Sequence, residues 1–325
     1  MAHMFGIKPR TLYNWYKFHF SGFPEKLKAG TWGEKSIKIA DPGTGEVIKE
    51  KPVYIAKSEN VGEKMTIDEK MIGKKMYTVM TNLTTGKIAL IAQTQNGDEL
   101  KQAINDYFSE RLQDVKSVSS DMNATYKRIS KELFPNACVV VDKFHVITHV
   151  LDALQQVRKL IKTQVINQGQ EDSQADRAPI KGLSELEYIE RSRYIIFKRM
   201  MHWDEEEQAV MDYLSDRYPI LRTALYLTEK IRNWYDKKHI GKDLDFVERD
   251  LYDWLDDVVI ARIPAFTAIR KMFEKHFDDI VNYFKTGQTN AKAENMNGKI
   301  QRFMANNFGI RDRSFFFFRL AGYFS

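Results

Sequence analysis

One cysteine, Cys138, stands in a chain of 325 residues. With no second thiol there is neither a disulfide framework nor a thiolate metal cluster, and a reducing cytoplasm is the compartment this implies. No run approaches the roughly 20 consecutive apolar residues of a membrane span. The opening also lacks the charged-then-apolar pattern of a secretion signal. Its first four residues, Met-Ala-His-Met, read as a cloning scar, with the native chain extending upstream of Phe5. Proline is sparse, but three of the eight, Pro24, Pro42 and Pro52, crowd into residues 24–62. That stretch, with its Asp41-Pro42-Gly43 turn and no sustained helical period, reads as a linker holding two short strands.

What is present is a hydrophobic fraction of 43%, enough for one interrupted domain or two ordinary ones. Fifty Lys and Arg against 44 Asp and Glu leave a formal charge of +6, which suits a polyanionic partner without requiring one. Residues 5–23 place Gly6 before a helix starting at Lys8, with Pro9 in its first turn. This resembles the second half of a helix-turn-helix. Leu12, Trp15 and Tyr16 are expected to face a core, leaving Lys8, Arg10, Asn14 and Lys17 for DNA. An ordinary basic amphipathic helix fits the segment equally well.

From Glu63 three strand-like runs follow, 64–71, 76–83 and 87–93, joined by Gly73-Lys74 and Thr84-Thr85-Gly86. Residues 98–112 carry Leu100, Ile104, Tyr107, Phe108 and Leu112 at helical spacing, and a short strand follows at 115–119. A second helix at 123–133 leads to the apolar strand 137–141. Three strands, then helix, strand, helix, strand is the order of an RNase H-like α/β domain, its later strands added in parallel through helical crossovers. Beyond Val141 the pattern turns helical, with Val146, Val150, Leu151, Leu154, Val157 and Ile161 on one stripe. A polar loop is expected at 167–182, then helices to about Lys285. The division is therefore a partial helix-turn-helix-like segment (5–23), a linker (24–62), a first core part (63–145), a helical insertion (146–285) and a C-terminal core part (286–325).

Asp68 falls mid-strand between apolar neighbours, where an unpaired charge is costly. Asp121 follows the fourth strand, which in this topology lies beside the first, so the two acids, 53 positions apart, become neighbours. Two close carboxylates call for a cation. Metal-assisted phosphoryl transfer asks for a third hard ligand. The helical run NAKAENMNGKIQRF offers Glu294, with Asn297, Ile300 and Gln301 at helical intervals. Glu187, Glu190 and Glu274 also lie on helices.

Four blocks carry a resemblance: IDE at 67–69, SSDMNATY at 119–126, VVDKFHVITHV at 140–150 and NAKAENMNGKIQRFMANNFGIRDRSFFFFRL at 290–320. In this order the chain resembles the ISL3-type DDE transposases of bacterial insertion sequences over residues 63–320. The resemblance implies an RNase H-like mixed sheet flanked by helices and interrupted by a large all-α insertion. It also implies Asp68, Asp121 and Glu294 as catalytic and metal-binding residues, with Mg²⁺, or Mn²⁺ in its place, as cofactor. The partners it implies are element-end and target DNA and a homodimer or larger assembly. Two departures stand out: the family's N-terminal zinc-binding region and complete helix-turn-helix are missing, and AKA precedes the glutamate. The first bears on autonomous end recognition.

Other residues have two readings. Asp142, His145 and Asn297 serve the metal site as accessories, or else the first two form a helix cap with a structural histidine. Trp203, Trp234 and Trp254 stack on bases or fill a helical core. The clusters Arg191, Arg193, Lys198 and Arg199, and Lys237, Lys238 and Lys242, track a DNA backbone or solvate helix faces. Phe315 to Phe318 is too apolar to stay exposed and is expected on the core or a second protomer. Two further functions compete with transposition: a structure-specific nuclease on the same fold, and a truncated or domesticated DNA-binding protein without catalysis.

Overall fold

The computed structural model describes residues 6–32, 35–41, 43–168, 183–288, 291–307 and 310–325. The chain divides into two compact units, one made of Met1–Val139 with Gln288–Ser325, the other of Val140–Gly287. The Met-Ala-His-Met opening lies outside the described residues.

Helix α1 (Pro9–Trp15) has its proline at the start, where no backbone N–H is needed, and runs into a single π-helical turn, Tyr16–Phe20. Trp15 and Tyr16 are 45% and 39% exposed, so they do not face a core as the sequence led us to expect. The segment docks instead through Tyr13 and Tyr16 against Phe315 (ring centroids 5.7 and 6.0 Å), an aromatic contact that helical periodicity alone does not reveal. After α2 (Phe23–Lys28) come β1 (Lys35–Ala40) and β2 (Val47–Ala56). The stretch expected to be a linker thus carries two strands of the main sheet. Ile37, Val53 and Ile55 are buried there, an alternation too short to outweigh three prolines on paper.

Strands β3 (Lys64–Ile72), β4 (Lys75–Asn82) and β5 (Ile88–Ala92) form the expected meander. Gly73 and Lys74 both hold positive φ (55° and 65°), the pair a tight hairpin needs to match strand twist. Asn96 caps α3 (Gly97–Phe108) by accepting from the amides of Asp98 and Glu99. Strand β6 (Ser117–Ser120), α4 (Ala124–Leu133, capped by Asn123) and β7 (Cys138–Val141) follow. The sheet order is β1-β2-β5-β4-β3-β6-β7, with β3–β4–β5 antiparallel and β6 parallel to β3. The last five strands in that order make the RNase H-like arrangement, and β1 and β2 extend it past β5.

Alternation along the strands serves two apolar layers. Met65, Ile67, Met80, Leu90 and Val118 join Leu100, Ile104, Tyr126 and Ile129 of α3 and α4. Ile72, Tyr77, Val79, Ile88 and Ile91 join the C-terminal helices α12 and α13, described below. Gly97 lets α3 and α4 meet closely, since a Cβ there would lie 2.5 Å from Thr125 Cγ2.

The second unit is helical throughout its described residues after β7: α5 (Lys143–Gln168), α6 (Glu185–Ile195), α7 (Glu205–Arg217), α8 (Pro219–Trp234), α9 (Leu244–Ala261), α10 (Pro264–Lys275) and α11 (Phe277–Thr286). The stripe Val146, Val150, Leu154, Val157 and Ile161 is buried, and α5 packs on α6, α8 and α10. Of the loop expected at 167–182, Asn167 and Gln168 still belong to α5, and 169–182 lie outside the described residues. Trp234 and Trp254 are buried and donate to the carbonyls of Val247 and Leu227 (2.9 and 2.8 Å). Trp203 donates to Ile195 O. Trp234 and Trp254 are therefore core residues, and Trp203 is half-buried. Arg191 and Lys198 pair with Glu206 and Glu207, and Arg199 with Glu229 and Asp236. No described helix is long and apolar enough to cross a membrane.

The chain returns to the first unit with α12 (Ala291–Asn306) and α13 (Arg313–Phe324). The phenylalanine run is accounted for within that unit. Phe315, Phe316 and Phe317 are buried, Phe317 stacks on Tyr54 of β2 at 4.1 Å, and Phe318 meets Phe23 and Trp32.

Candidate active site

Along β3 the side chains of Met65 and Ile67 enter the α3–α4 layer, so period two sends Thr66 and Asp68 to the opposite, α12 side. Asp68 meets α12 there: Asn297 Nδ2 donates to Asp68 Oδ2 at 2.6 Å, while Asp68 Oδ1 accepts from the Glu69 amide at 2.8 Å. Glu69 faces the other way and accepts from Tyr126 Oη (2.7 Å) and Gln95 Nε2. Burial, then the Glu69 hydrogen bond, push the Tyr126 hydroxyl far above the ordinary tyrosine range.

The β3–β6 ladder pairs Lys64 with Ser117, Met65 with Val118 and Thr66 with Ser119, each partner 53 positions on. Asp121 stands 53 positions after Asp68, one residue beyond the end of β6, and so keeps the offset of the three ladder pairs. By the same alternation Ser117 and Ser119 share the face of Thr66 and Asp68, and all three hydroxyl residues are buried there. Asp121 Oδ1 also accepts from the Asn123 amide (2.9 Å), shaping the turn into α4.

Glu294 lies in the first turn of α12, is exposed, and is one helical turn before Asn297. Two further contacts fix this end of the segment on the sheet. Gln288 Nε2 donates to Met65 O at 3.0 Å, and Lys292 donates to Thr84 O. Among the described residues no three of His, Cys, Asp and Glu stand close enough together to hold a metal ion. Asp68 and Asp121 have the hard-oxygen chemistry and the register for a divalent cation. Glu294 is on the helix that touches Asp68 but is not gathered with them.

Asp142 and His145 belong to the second unit. Asp142 is buried and accepts from the Phe144 amide (3.0 Å) at the start of α5, as a helix cap does, with His145 Nε2 3.8 Å away. Burial chiefly, with the Asp142 charge contributing, pushes up the hydroxyls of Tyr235 and Tyr283 in the same unit. Of the N-terminal residues expected to contact DNA, Lys8, Arg10 and Asn14 are exposed, whereas Lys17 is paired with Asp312 and lies over the Phe23 and Phe315 rings.

A family model described as transposase, of the ISL3 DDE type, matches residues 65–320. The chain belongs to the ISL3-type DDE transposase family. Among curated relatives, the transposases for insertion sequence element IS1557 from two Mycobacterium tuberculosis strains, CDC 1551 / Oshkosh and ATCC 25618 / H37Rv, are each 22% identical over 245 residues. That match covers 73% of this chain and 54% of theirs, so the chain spans about half the length of these transposases. No solved structure matches it. The match begins in β3 and ends in α13, so α1, α2, β1 and β2 lie outside it.

Sequence reasoning did not single out Glu69 with its partner Tyr126, nor Asp312, Arg311 and Arg319 around α13. The GIRDR segment before the phenylalanines was the available signal for Arg311 and Asp312.

Proposed function

We propose that this chain cuts and rejoins DNA as an insertion-sequence transposase, with Asp68, Asp121 and Glu294 as its metal-holding acids. The observation that supports it most is the shared 53-residue offset of the β3–β6 ladder and of Asp68 and Asp121. Mg²⁺, with Mn²⁺ substituting, would be held by these carboxylates and would supply charge neutralisation at the phosphate and acidification of the attacking water. The protein's own work is positional. Two neighbouring strands present Asp68 and Asp121 on one face, α12 presents Glu294, and Asn297 orients Asp68 by a charge-assisted hydrogen bond. Water attacks the phosphodiester at the element's end and leaves a 3′-hydroxyl, which then attacks a target phosphodiester in line and expels the target's own 3′-oxygen. The partners are element ends and target DNA, and the working form is a homodimer or larger assembly on paired ends.

The test is cleavage and joining of linear and pre-cut element-end DNA with Mg²⁺ or Mn²⁺, comparing the intact chain with Asp121→Ala. Joined product from the intact chain alone supports the reading. Hydrolysis without joining points to a nuclease, and DNA binding without either reaction to a non-catalytic protein. Equal activity of both chains removes Asp121 from the site.

A further inference from the structure

On the far side of the first unit from the α3–α4 layer, α1 and α13 enclose a cleft of about 180 Å³ lined by Arg10, Tyr13, Arg311, Asp312, Phe315 and Arg319. Three guanidinium groups thus share one small space with a single acid. That acid is already engaged: Asp312 accepts from the Phe315 amide (2.9 Å) and pairs with Lys17. Although burial works against it, Lys17 and the backbone amides hold its carboxyl below the usual range.

The arginines are not neutralised in turn. Arg10 and Arg311 are exposed and make no hydrogen bond or ion pair with any described residue. Arg319 donates to the Asn307 side chain and lies over the rings of Phe303 (5.1 Å), Tyr16 (5.5 Å) and Phe315 (5.8 Å). Its Nε is buried with no hydrogen-bond partner. Stacking and the Asn307 bond fix the direction of this guanidinium and leave its Nε donor unsatisfied. Like charges in a confined space repel one another, and an anion entering it removes that repulsion.

We propose that this cleft binds the phosphodiester backbone of DNA. The proposal rests on the reading of the chain as a DNA-processing enzyme. The fit is chemical: a phosphate's paired oxygens match the guanidinium fork, and three forks in one cleft match consecutive phosphates of a strand. The guanidinium groups address the backbone charge that every sequence carries, so the contact is expected to be independent of sequence.

Fluorescence anisotropy with a short duplex of arbitrary sequence, across a salt series, tests it. Arg10→Gln with Arg311→Gln is expected to weaken binding about tenfold or more and to flatten the salt slope by about two. Both side chains are exposed, so an unchanged thermal melt is expected. Arg319→Lys, which keeps the charge and loses the fork, is expected to lower affinity with little change in slope. Lys131→Gln, an exposed charge on α4, is the control. Intact binding by the intact chain, with the double variant no weaker than the control, overturns the cleft and leaves the DNA reading standing. Failure of the intact chain to bind duplex at all overturns both.

Discussion

Asp68 and Glu69 occupy consecutive positions of β3 and bond to opposite sides of the sheet, Asp68 to Asn297 of α12 and Glu69 to Tyr126 of α4. Their substitutions should therefore separate chemistry from stability. Asp68→Asn is expected to lower DNA joining by at least about 10³-fold, roughly 4 kcal/mol of transition-state stabilisation, with an unchanged melting profile. Glu69→Gln should keep measurable joining and lower the thermal midpoint. Equal effects of the two on joining would place the chemistry elsewhere.

Tyr126 gives a signed pH dependence. Its hydroxyl keeps its proton in the folded chain to higher pH than in the unfolded chain, where a tyrosine ionises near pH 10. Above about pH 10 the folded state binds more protons than the unfolded, so stability falls as pH rises. The contribution is complete below pH 10. Tyr126→Phe should remove up to one proton from this dependence, about 1.4 kcal/mol per pH unit, in denaturation midpoints taken between pH 9 and 11. Identical slopes for the two proteins would contradict this assignment.

Gly97 is expected to tolerate no side chain while Thr125 keeps its methyl group. Gly97→Ala should destabilise by about 1–3 kcal/mol through overpacking between α3 and α4. Thr125→Ser removes the clashing Cγ2, so the double variant should recover much of that loss. Urea unfolding of the four proteins measures the coupling, and simple additivity would show that the clash is relieved in another way.

Asp312 caps α13 and pairs with Lys17 across 295 positions of sequence. Asp312→Ala should cost about 0.5–2 kcal/mol, the usual range for a lost N-cap, the partly exposed ion pair adding little. Asp312→Asn keeps a capping oxygen and should recover most of it. If Asn is as damaging as Ala, the ion pair outweighs the cap.

Legibility followed periodicity. The strands and helices from β3 to β7 emerge from the sequence because each is a helical-period or strand-like run bounded by turn residues, and Gly73-Lys74 marks the first of those turns. Strands β1 and β2 were legible only as two short strands of a linker, because Pro42 and Pro52 punctuate a pattern of few buried residues and the pairing of β2 with β5, which joins them to the main sheet, is non-local. Asp68 and Asp121 could be read together because topology and spacing give one number. The Asn297 contact spans 229 positions, and no local pattern announces a hydrogen bond of that separation. Likewise the aromatic docking of α1 depends on Phe315, which sits at the other end of the chain.

Helices α12 and α13 cover the face of the sheet that bears Ile72, Tyr77, Val79, Ile88 and Ile91. They also follow every described strand in the chain, so they leave the ribosome after the strands. While residues 140–287 are being made, the completed strands have no permanent cover on that side, and Asp68 has no Asn297 to hold it. A nascent or truncated chain ending before residue 291 thus exposes a sticky apolar sheet. Synthesis itself keeps Asp68 without its Asn297 partner until α12 has been made.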